Sequence, residues 1–168
     1  MSANILTIIS GGQTGVDLAG LDAAMALDLK VGGHVPFFYD IDKVEYYKLV
    51  RMKETYSPAQ AYVARTIKNI EVSDGTAVFK FKDSRGTDGT IRYAHYGQWK
   101  PSLKRRMEYD AGPYKPYLVI SSLDEESQDQ LREFIISNNI SILNVAGHRD
   151  MEYYEPVKEF LIQALQGL

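Results

Sequence analysis

The fold is decided near the amino terminus by residues 5–17, Ile-Leu-Thr-Ile-Ile-Ser-Gly-Gly-Gln-Thr-Gly-Val-Asp. The apolar, largely β-branched run 5–9 ends at Ser-Gly-Gly, which is typical of a strand buried on both faces of a parallel sheet. From Thr14 to about Leu29, apolar residues recur at roughly helical spacing with no proline, and no glycine follows Gly20. The stretch therefore predicts strand, turn and helix in succession, and we expect its strand to be the central one.

Composition limits the classes of protein that this chain can belong to. With 168 residues, 45% of them hydrophobic, it is expected to form one domain over residues 1–168. No stretch approaches the roughly 20 apolar residues of a membrane span, and the start is too short and uncharged for a secretory signal, so we expect a soluble, cytoplasmic protein without a membrane contact. The net charge of −3 gives no reason to expect nucleic acid as a partner. The lack of cysteine excludes disulfides, thiolate-bound zinc, iron–sulfur clusters and a cysteine nucleophile.

The pattern of strand, turn and helix recurs along the chain. A parallel sheet with helices on both faces, in one Rossmann-like α/β domain, is the fold that this alternation predicts. The tyrosine-rich stretch 36–56 and the aromatic and basic stretch 95–112 show no clean period and are predicted to be irregular insertions. The remaining segments are predicted as strands at 30–35, 76–81, 117–120 and 140–145 and helices at 57–70, 124–138 and 153–165.

The first turn has the composition of a phosphate-binding site. A helix N-terminus presents unpaired N–H groups and the positive end of the helix dipole, and glycines let this backbone approach a phosphate closely. The residues predicted to bind there are Gly11, Gly12, Gln13, Thr14, Gly15 and Asp17. The turn is neither a dinucleotide G-x-G-x-x-G nor a P-loop, which disfavours triphosphate hydrolysis. The alternative is that the glycines only form a tight turn between strand and helix.

Later turns, among them a second glycine turn predicted at residues 86–90, can converge on the first one. Ligands of open parallel sheets lie beyond the carboxyl ends of the strands, where several turns meet in one crevice. Arg149 could pair there with a phosphate through its guanidinium, or it could be an ordinary surface residue. The three histidines, at 34, 95 and 148, are too scattered for a metal site, and no metal ligand or catalytic residue is predicted. The further residues predicted to bind ligand are Ser73, Asp74, Gly75, Thr76, Gly86, Thr87, Gly89, Thr90, Asn144, Gly147 and Arg149.

The sequence from Ser10 to Asp17, followed by Leu-Asp-Ala-Ala at 21–24, resembles the opening of the putative molybdenum carrier protein family, a branch of the Rossmann-like SLOG superfamily. Further matches follow in order along nearly the whole chain, at 32–36, 65–76, 89–90, 115–116 and 143–149. The resemblance implies a homo-oligomeric carrier that binds the molybdenum cofactor, a phosphate-bearing pterin, without transforming it. Two features depart from the family: His34 stands where a cysteine is usual, and residues 95–112 look like an insertion.

The sequence thus predicts a non-catalytic binding or carrier protein for a phosphorylated nucleotide-like or pterin ligand. The bound ligand would be the molybdenum cofactor or a nucleotide, and the protein could instead sequester a nucleotide-derived signal.

An alternative is a nucleotide N-glycosidase or phosphoribohydrolase of the same superfamily, in which Asp17 or Asp74 would activate water. Relatives of that type carry a Glu in Pro-Gly-Gly-x-Gly-Thr-x-x-Glu, which residues 86–93 do not match. A third hypothesis is a purely structural or protein-interaction module built on the aromatic loops. Separately, the resemblance implies a homo-oligomer, for which Tyr46, Tyr47, Tyr96 and Trp99 are the expected contact residues.

Overall fold

A computed structural model describes residues 5–54 and 57–168 of the chain. Five strands form a parallel sheet in the order β2-β1-β7-β5-β6, and β3 pairs with β4 in a separate two-stranded parallel sheet. The predicted Rossmann-like α/β fold is therefore confirmed. The strands are β1 (Thr7–Ile9), β2 (Lys30–Gly32), β3 (His34–Val35), β4 (Val50–Arg51), β5 (Gly75–Phe79), β6 (Tyr117–Ile120) and β7 (Ile142–Gly147).

Helices cover both faces of the five-stranded sheet. The first, sixth and seventh helices pack together over one face, and the third and fourth pack together over the other. Strand β5 is buried along its whole length, as expected for a strand between two helical layers. The helices are α1 (Val16–Ala26), α2 (Ile41–Tyr46), α3 (Pro58–Val72), α4 (Arg85–Tyr96), α5 (Leu103–Glu108), α6 (Glu125–Ser137) and α7 (Tyr154–Leu165), and a 3-10 helix (Met151–Tyr153) precedes the last.

Local sequence signals explain where several helices begin. Ser57 caps α3 with a reciprocal pair of hydrogen bonds to Gln60, and Pro58 occupies the first helical position, where no N–H is needed. Asp124 caps α6 by accepting a hydrogen bond from the Ser127 N–H at 2.8 Å. Both helices begin within one residue of their predicted starts at 57 and 124.

The structure corrects the predicted position of the first strand. Strand β7, and not β1, is the central strand, because the chain returns after α6 to lie between β1 and β5. Hydrophobic runs show that both strands are buried but do not show their order in the sheet.

Three stretches predicted to lack helix contain one. Residues 36–56 include α2, capped by Asp40, and the short strand β4, although positions 55 and 56 lie outside the described residues. Residues 86–90, predicted as a glycine turn, form the first part of α4, because Ser84 caps that helix by accepting from the Thr87 N–H. Residues 95–112, predicted as a loop, include the end of α4 and all of α5. Within the two described ranges, no helix is long and apolar enough to cross a membrane.

Candidate ligand-binding site

A cavity of about 430 Å³ opens at the carboxyl edge of the sheet. It is formed where the segments following β1, β5 and β7 meet, with α3 along one side, and its volume is in the usual range for a small-molecule site. Parallel strands all point toward this edge, so the fold itself brings these segments together. Of the residues predicted to bind ligand, those that line the cavity are Gly11, Gln13, Asp17, Gly86, Thr87, Thr90, Asn144, Gly147 and Arg149.

The first turn uses several of its donors within the protein. The Gly12 N–H donates to the Ser10 hydroxyl at 3.2 Å, and the Gln13 N–H donates to the Asp17 carboxylate at 3.3 Å. Gly12 has a φ of 68° and lies against Val35 and Leu49, outside the cavity lining. The lack of a side chain at Gly12 therefore allows the conformation of the turn and its close packing against Val35 and Leu49.

The same turn is hydrogen-bonded to the segment that follows β7. The Thr14 hydroxyl donates to the Arg149 carbonyl at 2.8 Å, so its hydrogen is engaged within the protein. At Gly15, with a φ of 82°, an added Cβ would lie 2.4 Å from the His148 carbonyl oxygen. Neither Thr14 nor Gly15 lines the cavity. The main contribution of this turn to the site is therefore the position of Asp17, because several of the turn's own hydrogen-bond donors are engaged within the protein.

Four predicted residues do not line the cavity. Ser73 and Asp74 precede β5 and lie at the opposite edge of the sheet, and Gly75 and Thr76 are the first two residues of that strand. The Thr76 hydroxyl accepts a hydrogen bond from Asn144 Nδ2 at 3.3 Å, so Thr76 contacts a lining residue without lining the cavity itself. The Asp74 carboxylate accepts hydrogen bonds from the N–H groups of Ser141 and Ile142, at 3.0 and 2.9 Å, and so joins β5 to the start of β7. The structure does not bring to the cavity the predicted residues Ser73, Asp74, Gly75 and Thr76.

The first turn of α4 faces the cavity. Ser84, Gly86 and Thr87 all line it, and an added Cβ at Gly86 would meet nothing within 4 Å. The N-terminal turn of a helix has N–H groups without partners in the helix and carries a positive partial charge. Gly89, one turn further on, does not line the cavity, because the Trp99 ring lies against it.

A buried ion pair forms the floor of the cavity. Arg65 Nη1 lies 3.4 Å from Asp17 Oδ2, and both side chains are more than nine-tenths buried. Burial raises the pKa of Asp17 to about 6, although Arg65 and the Gln13 and Gly11 N–H groups act in the opposite direction. An added Cβ at Gly11 would overlap the Arg65 guanidinium, so Gly11 makes room for the pair.

Further charges lie at the rim. Arg149 is exposed there, and Lys82 forms an ion pair with Asp150 that joins the segment after β5 to the segment after β7. His148 is buried, and its Nε2 accepts from the Phe81 N–H at 2.9 Å. Burial, followed by the charge of Lys82, lowers the pKa of His148, which keeps it neutral and structural.

The α3 side of the cavity carries residues that were not predicted to bind ligand. Tyr62, Arg65, Thr66 and Asn69 line the cavity together, and their spacing of three and four residues places them on one helix face. That spacing within a predicted helix, with the family match at 65–76, was the available signal. Lys82 and Trp99 also line the cavity.

The three histidines lie apart. His34 belongs to β3, His148 follows β7, and His95 near the end of α4 makes hydrogen bonds with the Tyr117 hydroxyl and the Tyr109 carbonyl at 2.9 and 3.0 Å. Within residues 5–54 and 57–168, no three His, Cys, Asp or Glu side chains group closely enough to hold a metal ion.

The four aromatic residues predicted as contacts of an oligomer have different surroundings. Tyr46 is exposed, but Tyr47 is buried and donates to the Asp22 carboxylate at 2.7 Å. Trp99 lines the cavity, and the Tyr96 ring stacks with Arg106. Homo-oligomer formation stays a prediction.

The comparisons with known proteins agree with this architecture. The sequence profile of the circularly permutated YpsA SLOG family matches residues 8–165. The crystal structure at 1.45 Å of a protein described as a putative molybdenum carrier protein, from Syntrophus aciditrophicus SB, has a TM-score of 0.72 and 29% sequence identity, covering 98% of this chain and 96% of that one. No curated protein matches the sequence.

Proposed function

This chain belongs to the circularly permutated YpsA SLOG family, and we propose that it binds a small phosphorylated ligand of nucleotide or pterin type without transforming it. One observation carries the proposal: the first turn of α4 meets the side chains of Arg65, Lys82 and Arg149 around one cavity. A helix N-terminus and guanidinium groups are both favourable partners for a phosphate. We assign the anionic end of the ligand to this part of the cavity.

Gly86 is the position where the backbone of α4 is most open to a ligand. No protein atom lies within 4 Å of the place where its Cβ would be, so a phosphate can approach the first-turn N–H groups. Thr87 follows with its N–H directed to the Ser84 cap at 3.4 Å, a long hydrogen bond. The second glycine-threonine segment, more than the first turn, is thus the proposed phosphate site.

In the proposed site, the role of the Asp17 carboxylate is to position Arg65. Arg65 Nε donates to the Tyr62 carbonyl at 3.2 Å and Nη1 pairs with Asp17, which fixes the guanidinium plane and leaves donors of the same group for a ligand. A fixed guanidinium loses less conformational entropy on binding than a mobile one.

The molybdenum cofactor is one ligand of the proposed class, and the similar crystal structure carries the description of a molybdenum carrier. The cavity volume of about 430 Å³, in the range of small-molecule sites, supports a ligand of this size. The chain has no cysteine, so no thiolate of this protein would bind the metal, and the cofactor would be held as cargo through its phosphate and ring.

Mass spectrometry of the small molecules released from freshly purified, denatured protein tests the proposal. Gly86→Asp places a carboxylate in the cavity at a helix position where it is otherwise favourable, so the fold should be retained while an anion is repelled. Gly112→Asp is the matched control, because a Cβ there also meets nothing within 4 Å and the residue does not line the cavity.

We expect a phosphorylated heterocycle to be released from the wild-type protein and from Gly112→Asp, and not from Gly86→Asp. Equal release from all three proteins would contradict the proposed site. If no ligand is released from any of them, titration calorimetry with inorganic phosphate and GMP decides, and no heat in the wild-type protein would overturn the proposal.

A second candidate function is hydrolysis of a nucleoside monophosphate to base and phosphosugar. The raised pKa of Asp17 within the cavity favours it, since a carboxyl that titrates near neutrality is suited to proton transfer. Asp74 has no such position, because it lies at the other edge of the sheet. Base release from a panel of nucleoside monophosphates, abolished in Asp17→Asn, would establish hydrolysis; absence of release from every substrate would exclude it.

A further inference from the structure

The chain reverses direction at the end of α4. Gly97 adopts a left-handed conformation with a φ of 68°, and its N–H donates to the Tyr93 carbonyl at 2.7 Å. An added Cβ at Gly97 would lie 2.6 Å from the Arg105 guanidinium and 2.9 Å from the Tyr114 ring. Only glycine allows both this backbone conformation and this close packing, and the residues that follow are turned back along α4.

The reversal lays Trp99 on Gly89, ten residues earlier in the chain. An added Cβ at Gly89 would lie 2.4 Å from indole atoms Cζ2 and Cη2, so the ring occupies the space of a missing side chain. Arg92 Nε donates to the Trp99 carbonyl at 2.7 Å, and its guanidinium lies 6.0 Å from the ring centroid. Trp99 thus contacts α4 at Gly89 and at Arg92, and it also lines the cavity.

The rest of the aromatic and basic segment anchors this arrangement. The Arg105 guanidinium lies 4.9 Å from the Tyr109 ring centroid and 5.6 Å from that of Tyr114, and its Nε donates to the Tyr96 carbonyl at 2.7 Å. These contacts engage the guanidinium with rings of the same segment. Residues 97–114 therefore form a segment that folds back along α4, and its internal contacts fix the position of Trp99.

We propose that Trp99 is the platform on which a flat heterocyclic ring of the ligand stacks, an inference that rests on the proposed function. Gly89 lies three positions after Gly86, which is about 4.5 Å along a helix axis. A phosphate at the first turn of α4 and a ring on Trp99 are thus about one sugar unit apart. Tyr62, which lines the cavity from α3, offers a second aromatic surface to the same ring.

Stacking of a base on an aromatic side chain is typically worth about 1–3 kcal/mol, or roughly 5- to 150-fold in affinity. The platform predicts that a phosphorylated compound with a ring binds more tightly than the same phosphosugar without one. The chain has a single tryptophan, so its intrinsic tryptophan fluorescence reports on Trp99 alone. A stacked ring should change that fluorescence, and ribose phosphate should not.

Calorimetric titrations with GMP, AMP, neopterin phosphate and ribose phosphate test the platform in the full chain. Trp99→Ala removes the ring, and Gly89→Ala displaces it by placing a methyl group where the indole lies, while alanine favours the helix. Gly112→Ala is the matched control, because its Cβ meets nothing. Circular dichroism establishes that each variant is folded.

We expect the preferred ring compound to lose roughly 5- to 150-fold in affinity in Trp99→Ala and Gly89→Ala, while ribose phosphate keeps its affinity in all the variants. The platform is overturned if the wild-type protein binds no ring compound more tightly than ribose phosphate, or if the advantage survives in both variants. Failure of every probe to bind the wild-type protein would overturn the proposed function, and the platform with it.

Discussion

Replacing Asp17 by Asn removes one titratable group from the floor of the cavity while nearly keeping the shape of the side chain. Two effects oppose each other at this carboxyl: burial favours the neutral form, and Arg65 at 3.4 Å favours the charged form. Burial is the larger effect, since it raises the pKa of Asp17 from 3.8 to about 6. A group with a raised pKa in the folded state stabilises the fold below its unfolded pKa, and that stability is lost as the pH rises through the folded pKa.

The shift corresponds to about 3 kcal/mol of unfolding free energy, lost between about pH 4 and pH 7. Urea unfolding of the wild-type protein and of Asp17→Asn over this range measures it. Other titrating groups largely cancel in the difference between the two proteins. Any pH-independent cost of the substitution shifts that difference equally at every pH and so does not affect its change with pH. We expect the free energy of unfolding of the wild-type protein, minus that of Asp17→Asn, to fall by about 3 kcal/mol as the pH rises. A difference that rises with pH would show that Arg65 outweighs burial and would refute the reasoning.

Three further predictions concern the frame of the site. Gly12→Ala should destabilise the protein by about 1–3 kcal/mol in urea unfolding, because alanine is strained at a φ of 68°; Gly112→Ala should change it by less than about 0.5 kcal/mol. Phe79→Ala should cost about 3–5 kcal/mol by the same measurement, since the ring is fully buried and packs against Phe160 of α7. Because burial lowers its pKa, the His148 ring should be less than half protonated at pH 6.5 in a nitrogen NMR titration, and the neutral form should carry its proton on Nδ1, since Nε2 accepts from the Phe81 N–H; a ring that is half or more protonated at that pH would contradict the effect of burial.

Local sequence signals predicted much of the fold. Strand β6 has the predicted bounds, since an apolar run follows Lys115-Pro116 directly, and α3 begins at its Ser-Pro cap. The order of strands could not be read in this way, because the central place of β7 results from a crossover between distant segments. Helix α4 was missed because glycines at 86 and 89 lower helix propensity by about 1 kcal/mol each. The Ser84 cap and the packing of Trp99 on α4 outweigh that cost.

The cavity could be predicted only in part, for a related reason. Residues that follow β1, β5 and β7 reach it, as the rule for open parallel sheets requires; Arg149 is an example, and Asn144 reaches it from within β7. Asp74 was placed with them although its segment comes before the predicted strand at 76–81, and in the structure it likewise comes before β5. Arg65 has no loop signal, since it reaches the cavity from the middle of a helix.

The most direct test of the central claim is the position of an anion in crystals of the protein soaked with inorganic phosphate and, separately, with GMP. We predict phosphate density in the cavity at the first turn of α4, beside Gly86 and Thr87 and within reach of Arg65 or Arg149. In the GMP crystals, the base should lie on Trp99. Density at residues 11–15 instead, or a cavity without bound anion in both experiments, would contradict the account.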